Sequence, residues 1–243
     1  MSYEREQSVG DQEEAIAGET NETQADDSAI ARFATDLARV LMTPSAALRD
    51  IGQRGAVAPA LALVMLVVLL NTAVQAAMLV LELSPTTAPA LFGTGVALSL
   101  QLMGLLVNLI LAPVLWVISA AILWGLAKLL GGEGTFKSVL APIGFAYLPQ
   151  LLTIPLLAGS ELAGVVSGGL QLLTLLVTIP VVLGALVWSL VLMVIAIREN
   201  MALTTGRATG VLGLFFLVTM LIGILIACIL ILMSLLIFGA LAA

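Results

Sequence analysis

The chain is 243 residues long, 61% hydrophobic and only 10% charged, with a mean hydropathy of +1.18. Soluble domains carry roughly 25% charged residues, so this composition excludes an ordinary water-soluble globule and makes lipid the solvent. There is no histidine and a single cysteine, Cys228, which excludes a disulfide framework and a Cys/His metal site by counting.

The net charge of -6 is unevenly spread. Residues 1–27 hold nine acids and one base, Arg5, with almost no large apolar side chains. Such a segment buries too little surface to offset its ordering entropy, so it is expected to be a disordered acidic cytoplasmic tail. It has no basic stretch ahead of an apolar core and does not read as a signal peptide.

Residues 28–54 are expected to form amphipathic interfacial helices. Ser28 is a good N-cap and Thr43–Pro44 a good stop. Ile30, Phe33, Leu37, Val40 and Leu41 recur at helical spacing, with Arg32, Asp36 and Arg39 assigned to the other face. In the interfacial reading Arg32 and Arg39 face lipid phosphates while Phe33 and Leu37 dip into the acyl boundary. The competing reading packs the helix on the inner side of the protein.

Residues 55–243 carry the apolar runs that mark membrane helices. The first span is expected from about Ala56 to Leu81, with Asn71, Thr72 and Gln75 on one face; polar side chains in a span serve helix–helix contacts or a substrate. The run from Ala90 to Leu130 is too long for one span, since a helix of that length reaches about 60 Å against a hydrocarbon core of about 30 Å. Residues 89–106 are therefore expected as an interfacial or re-entrant piece, and the second span from Asn108 to Lys128. Gly131 and Gly132 end that helix as a C-terminal glycine stop. The third span is expected from Val139 to Leu157, the fourth from Leu170 to Ile197 and the fifth from Val211 to Ile237. The fold class is then all-α: a polytopic membrane helix bundle of five transmembrane helices plus the N-terminal amphipathic interfacial helix.

The third span holds Pro142, Pro149 and Pro155 beside Tyr147, Gln150 and Thr153. Proline removes a donor and frees the carbonyl four residues upstream, here those of Ser138, Phe145 and Leu151. Either the span is a kinked, packed helix or it forms a hinge or small polar cavity for a lipid headgroup or solute. No acid falls mid-span to carry protons, and no histidine base, HExxH or P-loop is present, so no enzyme and no cofactor are expected.

Three stretches together resemble the Yip domain family, named for interaction with Ypt/Rab GTPases. RVLMTPSAALRDI (Arg39 to Ile51) is similar to the entry segment of prokaryotic members. LAKLLGGEGTFKSVLAPIGFAYLP (Leu126 to Pro149) resembles the family's glycine-bearing turn and its G-[YF]-x-x-x-P helix, here Gly144, Phe145 and Pro149. RENMALTTGRAT (Arg198 to Thr209) resembles the turn before the last span. The resemblance implies a five-span integral membrane protein. The DLYGP motif of the eukaryotic members is absent, so Rab binding is not carried over. The resulting reading is a non-enzymatic protein that organises membrane or partner proteins through its cytoplasmic face. Its rival is a small transporter or permease component. The partners expected are the lipid bilayer, other proteins or further copies of the chain, and not nucleic acid.

Every base precedes the first span or brackets the second-to-third or fourth-to-fifth turn. The positive-inside rule then sets a cell-membrane topology with the N-terminus cytoplasmic and the C-terminus outside. A fluorescent protein fused at the N-terminus is expected to glow and alkaline phosphatase at the C-terminus to be active; the reverse pattern refutes the assignment.

Overall fold

A backbone taken out of water must satisfy its own N–H and C=O groups, and this chain does so with helices. The computed structural model describes the backbone of residues 29–82 and 94–242 and the side chains of 29–79 and 99–235. The acidic tail expected over residues 1–27 lies outside the described residues. The rest divides into two compact units, one ending at Ala47 and the other running from Leu48.

In the first unit, α1 covers 29–42. Arg32 is exposed, Phe33, Leu37 and Arg39 are half-buried, and Asp36 and Val40 are buried. Asp36 thus shares the more buried side with Phe33, Leu37 and Val40, while Ile30 and Leu41 turn outward. Arg39 Nη1 lies 4.0 Å from Asp36 Oδ1. Helix α2 (Pro44–Arg54) straddles the boundary.

The second unit holds α3 (Val57–Glu82), α4 (Thr94–Leu129), α5 (Phe136–Phe145), α6 (Gln150–Val166), α7 (Gly168–Met201) and α8 (Thr205–Ala242). Taking α5 and α6 as one crossing, five helical segments are long and apolar enough to span a membrane, and no strand occurs among the described residues. The α5–α6 segment is the inner column: 67% of its apolar window is buried, against 28% for α3 and 0% for α8. Helices α3, α4 and α7 all pack against it.

Two spans differ from the sequence reading. Residues 94–129 form one continuous 36-residue helix, so the expected break near residue 106, with an interfacial or re-entrant piece before it, is corrected. Residues 89–93 of that piece lie outside the described residues. The helix is about 54 Å long, and tilt with overhang past the hydrocarbon accommodates that length. Its glycines cost about 1 kcal/mol each in helix propensity, less than unsatisfied backbone in lipid. Conversely, the third span is broken outright. Between α5 and α6 the backbone tightens into i→i−3 bonds: Tyr147 N–H donates to the Gly144 carbonyl (3.2 Å), Leu148 to Phe145 (3.1 Å) and Gln150 to Tyr147 (2.9 Å). The Phe145 carbonyl that Pro149 leaves without its α-helical donor is thereby occupied. Pro149 has no N–H to give the Phe145 carbonyl, and the chain passes residues 146–149 in 3₁₀-type turns instead of α-helix.

Gly144 is where α5 meets α3 and α4. A Cβ there would stand 2.8 Å from the Ala60 Cβ and 3.2 Å from the Trp116 ring. Gly144→Ala is expected to destabilise by about 1–3 kcal/mol through overpacking. Gly184→Ala, with nothing within 4 Å of the new methyl, is expected to cost nothing; thermal midpoints in detergent compare the two.

Candidate functional site

Two features stand out in the second unit, one inside the bundle and one at its end. Inside, two adjoining cavities lie between α3, α4 and the broken α5–α6 column. The deeper, about 310 Å³, is lined by Asn71, Gln75, Asn108, Tyr147 and Gln150 among aliphatic side chains. The wider, about 590 Å³, shares Asn71 and Gln75 and adds Gln101, Gly104 and Glu161. At about 1.5 Å per residue along α3 from Val57, Asn71 sits at about 21 Å and Leu79 at about 33 Å. The groove therefore starts about midway along α3 and opens toward the end of the bundle where α3 ends.

The break at Ala146–Pro149 borders this groove. At this turn Tyr147 and Gln150 line the same cavity as Asn71 of α3 and Asn108 of α4. Asn71 Nδ2 donates to the Val67 carbonyl of its own helix at 3.0 Å, leaving its oxygen free to accept. Among the described residues, the side chains of Gln75, Gln101, Asn108, Tyr147, Gln150 and Glu161 make no hydrogen bond or ion pair. An amide with no partner in hydrocarbon costs several kcal/mol, so these groups require water or a polar guest.

Thr153, grouped in sequence with Tyr147 and Gln150, is turned away: its Oγ1 donates to the Gln150 carbonyl at 2.8 Å and it lines neither cavity. Pro149 is buried behind the break. The sequence by itself marks none of Gln101, Asn108 and Glu161 as a site residue. The available signal was that all three are polar positions in the halves of α4 and α6 that lie away from the bases.

The second feature is the basic end. There α4 stops in a Schellman motif: Gly131 takes φ +88°, its N–H donates to the Lys128 carbonyl (3.1 Å), and Gly132 N–H donates to Ala127 (2.9 Å). Gly132 is buried against Met201, and Glu133 N–H donates to the Met201 carbonyl at 3.1 Å. A Cβ at Gly134 would overlap the Asn200 carbonyl. Trp124 donates from Nε1 to the Gly134 carbonyl (3.2 Å) and meets Phe136 edge-on at 6.1 Å. Thr135 caps α5 by accepting from Ser138 N–H at 3.3 Å.

Asn200 ties three elements together. Its Nδ2 donates to the Leu48 carbonyl (3.1 Å) and the Ala196 carbonyl (2.9 Å), while its side chain and the Ser138 carbonyl leave room only for glycine at Gly52. Around this knot Arg49, Lys128, Lys137 and Arg207 are exposed. The sequence-selected residues thus separate: Gly131 and Gly132 belong to the knot, Gly144 to the helix crossing, and Tyr147 to the groove.

A bundle of apolar helices long enough to cross a bilayer, with polar groups turned into a groove, defines a multi-pass membrane protein. The Yip1 domain model matches residues 38–227, and the chain belongs to the Yip1 domain family. No curated protein and no solved structure matches it.

If the groove holds water, cysteines placed in it react with soluble thiol reagents. In a Cys228→Ala background, Gln75→Cys and Gln101→Cys are expected to be labelled by a membrane-impermeant maleimide at least tenfold faster than Leu176→Cys on the exposed apolar face of α7. Equal rates would show the groove to be closed to water.

Proposed function

We propose that this Yip1 domain protein is non-enzymatic and organises membrane or partner proteins through its basic end, which faces the cytoplasm. The observation that carries the reading is the glycine-and-asparagine knot at that end. It holds three chain segments rigid and presents four exposed bases around them. A pre-organised surface loses little entropy on docking, and clustered bases attract acidic partners or anionic headgroups. The positive-inside rule supports the orientation. The acidic tail and α1, with Arg32, Phe33, Leu37 and Arg39, form a separate docking element in this reading, with Phe33 and Leu37 in the interface.

A second reading is favoured by the groove: the protein handles a solute or lipid, with Tyr147, Gln150 and the break at Pro149 forming the floor of the site. A further copy of the chain is a candidate partner for α8, whose Gly213 and Gly223 have open space beside them.

Leu48 and Gly52 pack on Asn200 and Ser138, so a deletion through residue 54 would damage the bundle. The clean test deletes residues 1–27 in one variant and reverses Arg49, Lys128, Lys137 and Arg207 to Glu in another. Crosslinking in native membranes is expected to lose its specific partners in the charge-reversed protein, with an unchanged thermal midpoint. An unchanged crosslinking pattern in both variants sinks the docking reading. Flux of a solute into proteoliposomes, abolished in Tyr147→Phe, would instead support the second.

A further inference from the structure

We infer that the groove between α3, α4 and α6 binds an ammonium-bearing headgroup, with Glu161 as its counter-charge and the amides of Gln75 and Gln101 as its hydrogen-bonding partners. This deepens the second reading above and rests on it.

Charge decides the class of ligand. Glu161 is the only charged residue among the described residues that line either cavity, and it has no ion pair among the described residues. No lysine or arginine occurs between Arg54 and Lys128, or between Lys137 and Arg198. The segments that build the groove therefore supply no cation. A carboxylate near the hydrocarbon is costly unless a positive charge or water meets it, and a positive charge that meets Glu161 comes from outside these segments. An anion without an ammonium group finds no positive partner here and meets Glu161 as a like charge.

Size and polarity narrow the class further. The wider cavity, about 590 Å³, falls in the range of roughly 300–1,000 Å³ typical of small-molecule sites. Gln75 and Gln101 are exposed in it and offer both donors and acceptors, which suits a headgroup carrying ester, phosphodiester or hydroxyl oxygens next to its ammonium. Val74, Leu105 and Leu157 make apolar walls, and the exposed leucines of α4 beyond them continue as a path for acyl chains. The occupant that uses all of these is a lipid with an ammonium headgroup, such as phosphatidylethanolamine. A free small amine shares the headgroup chemistry but leaves the apolar walls unused.

The full-length protein is reconstituted into vesicles of equal parts phosphatidylethanolamine and phosphatidylglycerol with identical chains. It is then extracted mildly, and retained lipid is counted by native mass spectrometry. Wild type is expected to retain phosphatidylethanolamine about tenfold over phosphatidylglycerol. Glu161→Gln is expected to bring the ratio near one, and the pair Gln75→Leu with Gln101→Leu to lower total retained lipid several-fold. Thermal midpoints of each variant check folding. Displacement of the lipid by millimolar free ethanolamine would support the ammonium site with a small amine as a sufficient ligand; resistance to it supports the lipid. A ratio of one in wild type, or an unchanged ratio in Glu161→Gln, overturns the inference. If the ratio is one but the glutamine pair still lowers retention, the groove binds lipid without ammonium selectivity and only this inference fails. If no lipid is retained, or the glutamine pair changes nothing, the lipid-handling reading fails with it.

Discussion

In a hydrocarbon solvent each backbone N–H and C=O must find its partner within the chain, and the inner third span is where this chain meets that demand with the least freedom. Proline takes away donors that water would replace at a surface. At Pro149 no water is assured, so the turn from Ala146 to Pro149 tightens until Leu148 bonds the Phe145 carbonyl. That local solution breaks the column into α5 and α6. At the break Tyr147 and Gln150 share a cavity with polar side chains of α3 and α4.

The two halves of the bundle follow opposite packing logic. At the basic end, glycines let backbones approach within the width of a single methyl group, and Asn200 bonds across from α7 to Leu48. Little room remains to move or to admit a guest. Toward the other end cavities lie between α3, α4 and α6, and α8 is exposed along most of its outer length. Space appears there, and it is lined by amides and one carboxylate.

Much of this was legible in the residues. The five crossings follow from apolar length, and the glycine stop after α4 from Gly131–Gly132, because both are local consequences of hydropathy and backbone freedom. The prolines of the third span announced irregular structure. What the residues did not reveal was its form. A kinked helix and a broken one satisfy the same proline constraints, and the choice depends on what packs around them: Gly144 against Ala60 and Trp116 on one side, and the groove on the other. The long run before Leu129 misled for the complementary reason. Length alone argued for a break near residue 106, but without a proline in that half nothing outweighs the backbone bonds that a continuous helix keeps.

The sequence by itself determined the solvent, the helical class, the number of crossings and the gathering of bases at alternate turns, because each depends on residue type and local order along the chain. Only the tertiary structure decided which polar residues share a space. Asn71, Gln101, Tyr147 and Glu161 are spread over ninety positions and three crossings, and their meeting depends on how α3 and α4 pack on a broken column. Packing of this kind comes from steric fit at a few glycines, a long-range property that no periodicity records.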